Sequence, residues 1–188
     1  MSTLRATKFV QRILSDKLAK ECNAIDATMG NGYDTLFLAN SIGTSGKLFS
    51  FDIQETALIN TKNLLDQHGF EKKDNLFLIN DSHANILKYV NEPIDVAMFN
   101  FGYLPGGNHE IVTKPQSSIT ALKSVMQLLK KKGIISLIIY YGHIGGEIEK
   151  NKIIDFINTL NYNEFSVLHC SYLNQDNNPP IIILIEKK

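Results

Sequence analysis

Five short apolar runs, each followed by a helix-like pattern, constrain the fold of this chain more than any other feature. The runs are "NAIDAT", "KLFSFD", "NLFLIN", "IDVAMF" and "GIISLIIYY". Between them, apolar side chains at three- and four-residue spacings predict helices near Asp34 to Asn40, Thr56 to His68, His83 to Tyr89 and Ser117 to Lys131. Strands that are apolar throughout must be covered on both faces, the condition of a parallel sheet with helices above and below. Leu4 to Lys20 reads as one more amphipathic helix, with Ala6, Phe9, Val10, Ile13, Leu14 and Leu18 on one stripe. The end of the chain breaks the alternation. A helix from about Glu147 to Leu160 leads to "EFSVLHCSYL", "NQDNNPP" and "IIILIE", the pattern of an antiparallel hairpin.

The expected fold is therefore α/β: a seven-stranded, mostly parallel sheet with helices on both faces and an antiparallel strand from the C-terminal hairpin. With 188 residues and 44% hydrophobic side chains, residues 1–188 are expected to form one domain, capped by the helix at about residues 4–20. Cys22 and Cys170 fit no paired-cysteine spacing and follow no secretory leader, which argues against a disulfide framework or a zinc site and for a cytoplasmic location. No apolar run approaches membrane-spanning length. The 19 basic and 19 acidic residues balance, so any nucleic-acid partner must be met by local patches. Candidates are the N-terminal helix (Arg5, Lys8, Arg12, Lys17, Lys20) and Lys130 to Lys132; each also reads as a solvated helix face.

Chemistry gathers at the strand ends. "IDATMGNGYDT" places Asp26 after the first strand, then Gly30, Asn31 and Gly32, then a helix whose N-terminus offers unpaired N–H groups. The third glycine of a dinucleotide fingerprint is replaced by Thr35, so the segment alone reads equally as a tight strand-to-helix turn. The second strand ends in Asp52, about 20 residues after Gly30, where an open α/β fold sets an acid against ribose hydroxyls. The third delivers Asn80, Asp81, Ser82 and His83 to the same edge. Together these favour a nucleoside-containing cofactor. Asp26 and Asp34 flank the loop with negative charge, which disfavours a pyrophosphate and suits a sulfonium or ammonium. Asp34 also reads as a helix-stabilising carboxylate, and His83 as a surface residue.

The order of elements resembles class I S-adenosylmethionine-dependent methyltransferases, a Rossmann-like fold. By that resemblance the cofactor-binding residues are Asp26, Gly30, Asn31, Gly32, Asp34, Asp52, Gln54, Asp81, Ser82, His83, Asn100 and Gly102. "NFGY", Asn100 to Tyr103, resembles the Asn/Asp-Pro-Pro-Tyr/Phe element of amino-group methyltransferases, with Phe-Gly in place of Pro-Pro and hence an expected loss of rigidity. The resemblance implies catalytic roles for Asn100, Tyr103 and His143, and substrate contacts from Tyr103, Leu104, Tyr140, Tyr141 and His143. The same residues allow blander readings: a glycine turn with a surface tyrosine, a core Tyr140, and "GHIGG" as a flexible helix entry. The loop "GYLPGGNHEIVTKP" is a further substrate-binding candidate. No metal or covalent nucleophile is needed for methyl transfer to an amine.

Taken together, "DATMGNGYDTLFLA", "FDIQ", "NDSH", "NFGYLPGG" and "IYYGHIGG" are similar to a small bacterial family formerly grouped as ribosomal RNA methylases. That family methylates 5-aminomethyl-2-thiouridine at the tRNA wobble position. The resemblance implies S-adenosylmethionine as cofactor, the tRNA anticodon arm as partner, and a homodimer. Other readings are an rRNA, protein or small-molecule N-methyltransferase, an NAD-dependent oxidoreductase, or a catalytically silent nucleotide-binding module.

Overall fold

A computed structural model describes residues 5–71, 73–104, 106 and 111–188. Strands β1 (Ala24–Asp26), β2 (Leu48–Phe51), β3 (Leu76–Ile79), β4 (Ile94–Phe101) and β5 (Leu129–Ile139) are parallel. With β6 (Phe165–Cys170) and β7 (Ile181–Lys187) they form one seven-stranded sheet in the order β3-β2-β1-β4-β5-β7-β6. β7 runs antiparallel between β5 and β6, as the hairpin pattern requires. The chain winds outward from β1 through β2 and β3, then returns to β4 on the other side. The gap between β1 and β4 at their carboxyl ends is thus the switch point at which open α/β sheets bind ligands.

The helices are α1 (Ala6–Ser15), α2 (Tyr33–Ile42), α3 (Glu55–Gln67), α4 (Pro115–Leu128) and α5 (Gly146–Asn158), with a 3₁₀ helix at His83–Lys88. Alternation along each strand sends Ile25, Ala27, Ala97, Phe99 and Phe101 to the face covered by the 3₁₀ helix, α4 and α5. Ala24, Val96, Met98, Ile134 and Ile138 point to the opposite face, against α1 and α2. By the same two-residue period, Asp26, Asn100 and Tyr140 belong to the α1 face. That parity decides which helix can reach the site.

α1 has no side-chain cap; its buried stripe of Ala6, Val10 and Leu14 holds it to the sheet. The fully buried Val10 and Leu14 contribute about 1.5–3 kcal/mol each. The helix stops at Ser15 rather than near Lys20, where the Lys17 N–H bonds the Leu14 carbonyl and tightens the last turn. A second departure concerns Lys130 to Lys132. α4 ends at Leu128, and the lysines open β5, Lys130 pairing with Asp95 at 2.8 Å. This end of β5 lies roughly 25–30 Å along the strand from Tyr140. The lysine run is therefore remote from the carboxyl edge that carries Asn100.

Candidate active site

The glycine loop is built around two strand-end acids. Asp26 is fully buried; its Oδ2 accepts from Thr35 Oγ1 at 2.7 Å and its Oδ1 from the Thr28 N–H at 3.2 Å. The residue that replaces the third fingerprint glycine thus supplies the hydroxyl that the acid uses. Gly32, at φ +84°, caps α2, and a Cβ there would lie 2.9 Å from Thr61 Cα, so only glycine fits the turn. Asp52 accepts from the Gly30 N–H at 3.0 Å and the Gln54 N–H at 2.9 Å, drawing the end of β2 onto the loop. Burial raises its pKa against those two bonds. Asn31 accepts from Asn60 Nδ2 at 3.0 Å, which ties the loop to α3.

Asn100 is oriented from two sides. Its N–H donates to Thr28 Oγ1 and its Nδ2 to Asp34 Oδ2, both at 2.7 Å. A carboxylate only accepts, so Asp34 must face the amide NH₂ and turn the oxygen away. That oxygen, Asn100 Oδ1, is buried and has no hydrogen-bond partner among the described residues. Asp34 also accepts from Gln11 Nε2 at 2.7 Å, so α1 takes part in the site. Burial raises the pKa of Asp34; burial, then the charge of Asp34, pushes Asp26 up to about 7. Neither acid forms a salt bridge among the described residues. Two buried carboxylates without a paired cation suit a positively charged ligand.

The Phe-Gly turn is not loose. Gly102 N–H donates to Thr113 Oγ1 and its carbonyl accepts the Thr113 N–H, both at 2.9 Å. Thr113 Oγ1 in turn donates to Glu149 Oε2 at 2.6 Å, and Ser118 Oγ donates to Glu149 Oε1 at 2.6 Å. Glu149 is 1% exposed. Proline at 102 would remove the N–H that Thr113 accepts. Thr113→Val is expected to cut methyl transfer about tenfold, with cofactor affinity unchanged; calorimetric titration beside a turnover assay checks the split.

The remaining candidates divide. The Tyr103 ring meets His143 edge-on at 5.8 Å, and His143 Nδ1 is buried without a hydrogen-bond partner among the described residues. Tyr140 packs over Gly102, where a Cβ would lie 3.2 Å from the Tyr140 Cβ. Leu104 departs from an open substrate contact. It is buried with Met29 and Ala57 on the glycine loop. Tyr141 packs against the core, with Lys150 Nζ 4.2 Å above its ring, so that face is not open for stacking. Pro105 and residues 107–110, the middle of the candidate substrate loop, lie outside the described residues, as does Leu4.

At the end of β3, Asp81 accepts from Asn85, Ser82 and Tyr89, with Asn85 the leading cause of its lowered pKa. Ser82 caps the 3₁₀ helix. His83 is no surface residue: its ring lies beneath the sheet, edge-on to Phe99 and Phe101. Burial lowers its pKa to about 4, against a hydrogen bond to the Ala27 backbone. A depressed folded pKa gives stability that is lost as pH falls from 6.5 toward 4. Denaturant titrations of His83→Leu should therefore show its stability deficit narrowing by about 1.4 kcal/mol per pH unit across that window.

Gln11, Thr28, Thr35, Thr113 and Glu149 were not legible as site residues. Thr35 carried a signal, as the residue breaking the glycine pattern. Gln11, Thr113 and Glu149 reach the site from distant segments.

The sequence profile of the family described as "Putative rRNA methylase" matches residues 48–186. The chain is 34% identical over 192 residues to the chloroplastic tRNA (mnm(5)s(2)U34)-methyltransferase of Arabidopsis thaliana, covering 98% of this chain and 70% of that protein. Its structure is similar to a Clostridium thermocellum protein described as a "putative rRNA-methylase", with TM-score 0.95, 38% identity and all of both chains covered. It also matches a Streptococcus mutans protein described as "a putative methyltransferase" in complex with SAH, with TM-score 0.89, 40% identity and 98% of each chain covered.

Proposed function

Because the chain belongs to this rRNA methylase family and is an S-adenosylmethionine-dependent methyltransferase, we propose that it methylates the primary amine of 5-aminomethyl-2-thiouridine at the tRNA wobble position. The product is the 5-methylaminomethyl form. The NAD-dependent reading falls with that membership. The observation that carries the proposal is Asn100 Oδ1: a buried acceptor with no partner among the described residues, turned away from Asp34. Such an acceptor suits an N–H donor, as an amine substrate is. The named activity of the Arabidopsis relative supports the same substrate.

Residues fit the cofactor by chemistry. Asp26 and Asp34 offer negative charge to its cationic groups, the Gly30–Gly32 backbone allows close approach, and Asp52 suits ribose hydroxyls. Asp81 and Ser82 suit the adenine end, with His83 contributing through its backbone. S-adenosylmethionine supplies the methyl group. Asn100 Oδ1 accepts a hydrogen bond from the neutral amine and holds its lone pair in line, which supplies much of the rate advantage of an in-line displacement. Tyr103 packs on the acceptor base, steadied by His143. The partners that go with this reading are the tRNA anticodon arm and a second copy of the chain. With two free cysteines, the chain suits a reducing cytoplasm.

Nucleoside mass spectrometry of tRNA from cells lacking the gene tests the proposal. Accumulation of 5-aminomethyl-2-thiouridine, reversed by the purified protein, is the expected result. Unchanged tRNA together with undermethylated ribosomal RNA would overturn it.

A further inference from the structure

A cavity of about 330 Å³ opens on the α1 face, lined by Arg5, Thr7, Tyr140, Tyr172, Gln175 and Pro180 among others. Its position follows from strand register. Ile139 of β5 pairs with Ile181 of β7, so one step beyond this pair Tyr140 stands beside Pro180, where the β6–β7 connection returns. Tyr140 shares the sheet face of Asn100 and packs over Gly102. Its hydroxyl also senses the neighbourhood: burial raises its pKa first, then the charges of Asp34 and Tyr172. Tyr140 thus borders both the cavity and the Asn100–Gly102 turn, its N–H donating to the Phe101 carbonyl at 2.9 Å, and the lining holds none of the residues assigned to the cofactor.

The lining has the chemistry of one nucleotide. Arg5 is exposed and forms no salt bridge among the described residues, which leaves its fork for a phosphate. Two tyrosine rings offer stacking surfaces, and Gln175 an amide for a base edge. The volume sits at the low end of small-ligand pockets, enough for a base and too small for a second cofactor. From these observations we infer that the Arg5–Tyr140–Tyr172–Gln175 cavity is a subsite for the nucleotide adjacent to the one that is methylated. Its phosphate is held by Arg5 and its base is stacked on tyrosine. The inference rests on an RNA substrate, as proposed above.

Tyr172→Ala, Tyr172→Phe and Arg5→Gln are compared with the wild type on a 17-nucleotide anticodon stem-loop carrying 5-aminomethyl-2-thiouridine, and on the free modified nucleoside. Tyr172→Ala should weaken stem-loop binding, read by fluorescence anisotropy, about tenfold and raise KM by a similar factor, and Tyr172→Phe should restore both. Arg5→Gln should lower the slope of log Kd against log salt by about one. SAH affinity and turnover of the free nucleoside should not change. Equal losses on stem-loop and nucleoside would mean a merely structural role and would overturn the subsite, as would unchanged stem-loop binding. If the wild type methylates ribosomal RNA instead, the substrate reading fails, and the same comparison on that RNA still decides the subsite. Turnover of a peptide or small amine alone sinks both.

Discussion

Asn100→Ala lowers methyl transfer by about 10²-fold or more while SAH binding stays within a few-fold of the wild type. The asymmetry follows from what the side chain does. Asn100 Nδ2 is spent on Asp34, which leaves Oδ1, buried and without a partner among the described residues, as the free acceptor. On the proposed function the substitution removes the acceptor for the attacking amine, and misplacement by about 1 Å costs about 10²-fold, or close to 3 kcal/mol of barrier. The backbone N–H that bonds Thr28 is kept, so β4 keeps its register. Asn100→Asp should be at least as damaging despite its shape, because a second carboxylate would replace the donor 2.7 Å from Asp34 Oδ2. Single-turnover rates with saturating cofactor, beside calorimetric SAH binding, read both effects. A retained rate would show that the amine is held elsewhere.

Asp26→Asn should do the opposite to stability and binding. The ligand-free protein is expected to gain roughly 2–4 kcal/mol above pH 7, and S-adenosylmethionine affinity to fall tenfold or more. The acid has a folded pKa of about 7 against an ordinary 3.8. A raised folded pKa means that the native state binds the proton more tightly, so its stabilising contribution is complete below pH 3.8 and is lost as pH rises to about 7. An amide escapes that loss, so variant and wild type should differ little near pH 4 and most above pH 7. The hydrogen bonds survive the exchange, since the new oxygen can accept from Thr28 N–H and the new NH₂ can donate to Thr35, whose oxygen lies 3.2 Å from Ser50 Oγ. Thermal melts at several pH values, with and without cofactor, provide the measurement; lower stability of the variant at pH 8 would refute the assignment.

Much of this site was legible because period and position do not depend on distant contacts. The apolar runs set the strands and the alternation set the faces, so Asp26, Asp52, Asp81 and Asn100 fell on one edge. The burial of the His83 ring, against the surface alternative, was not legible because helix-start position says nothing about which side of the sheet the ring takes. Its neighbours Phe99 and Phe101 come from another strand. Lys130 to Lys132 were read into a helix because lysine fits helix and strand surfaces alike, and only pairing with β4 decides between them. Gln11 touches Asp34 across 23 residues, and nothing local marks it.

The hold on Gly102 carries a lesson for finding relatives of this enzyme. Two adjacent prolines are a contiguous signature that a short pattern search detects. Here the equivalent stiffness is written at three separated positions, a glycine at 102, a hydroxyl at 113 and an acid at 149, linked by hydrogen bonds. A search that demands the prolines passes over such a chain, whereas one that asks for the spaced triplet retrieves it. The same dispersal makes the turn vulnerable at a distance: a substitution at Glu149, 47 residues downstream of Gly102, reaches the Asn100–Tyr103 turn through Thr113.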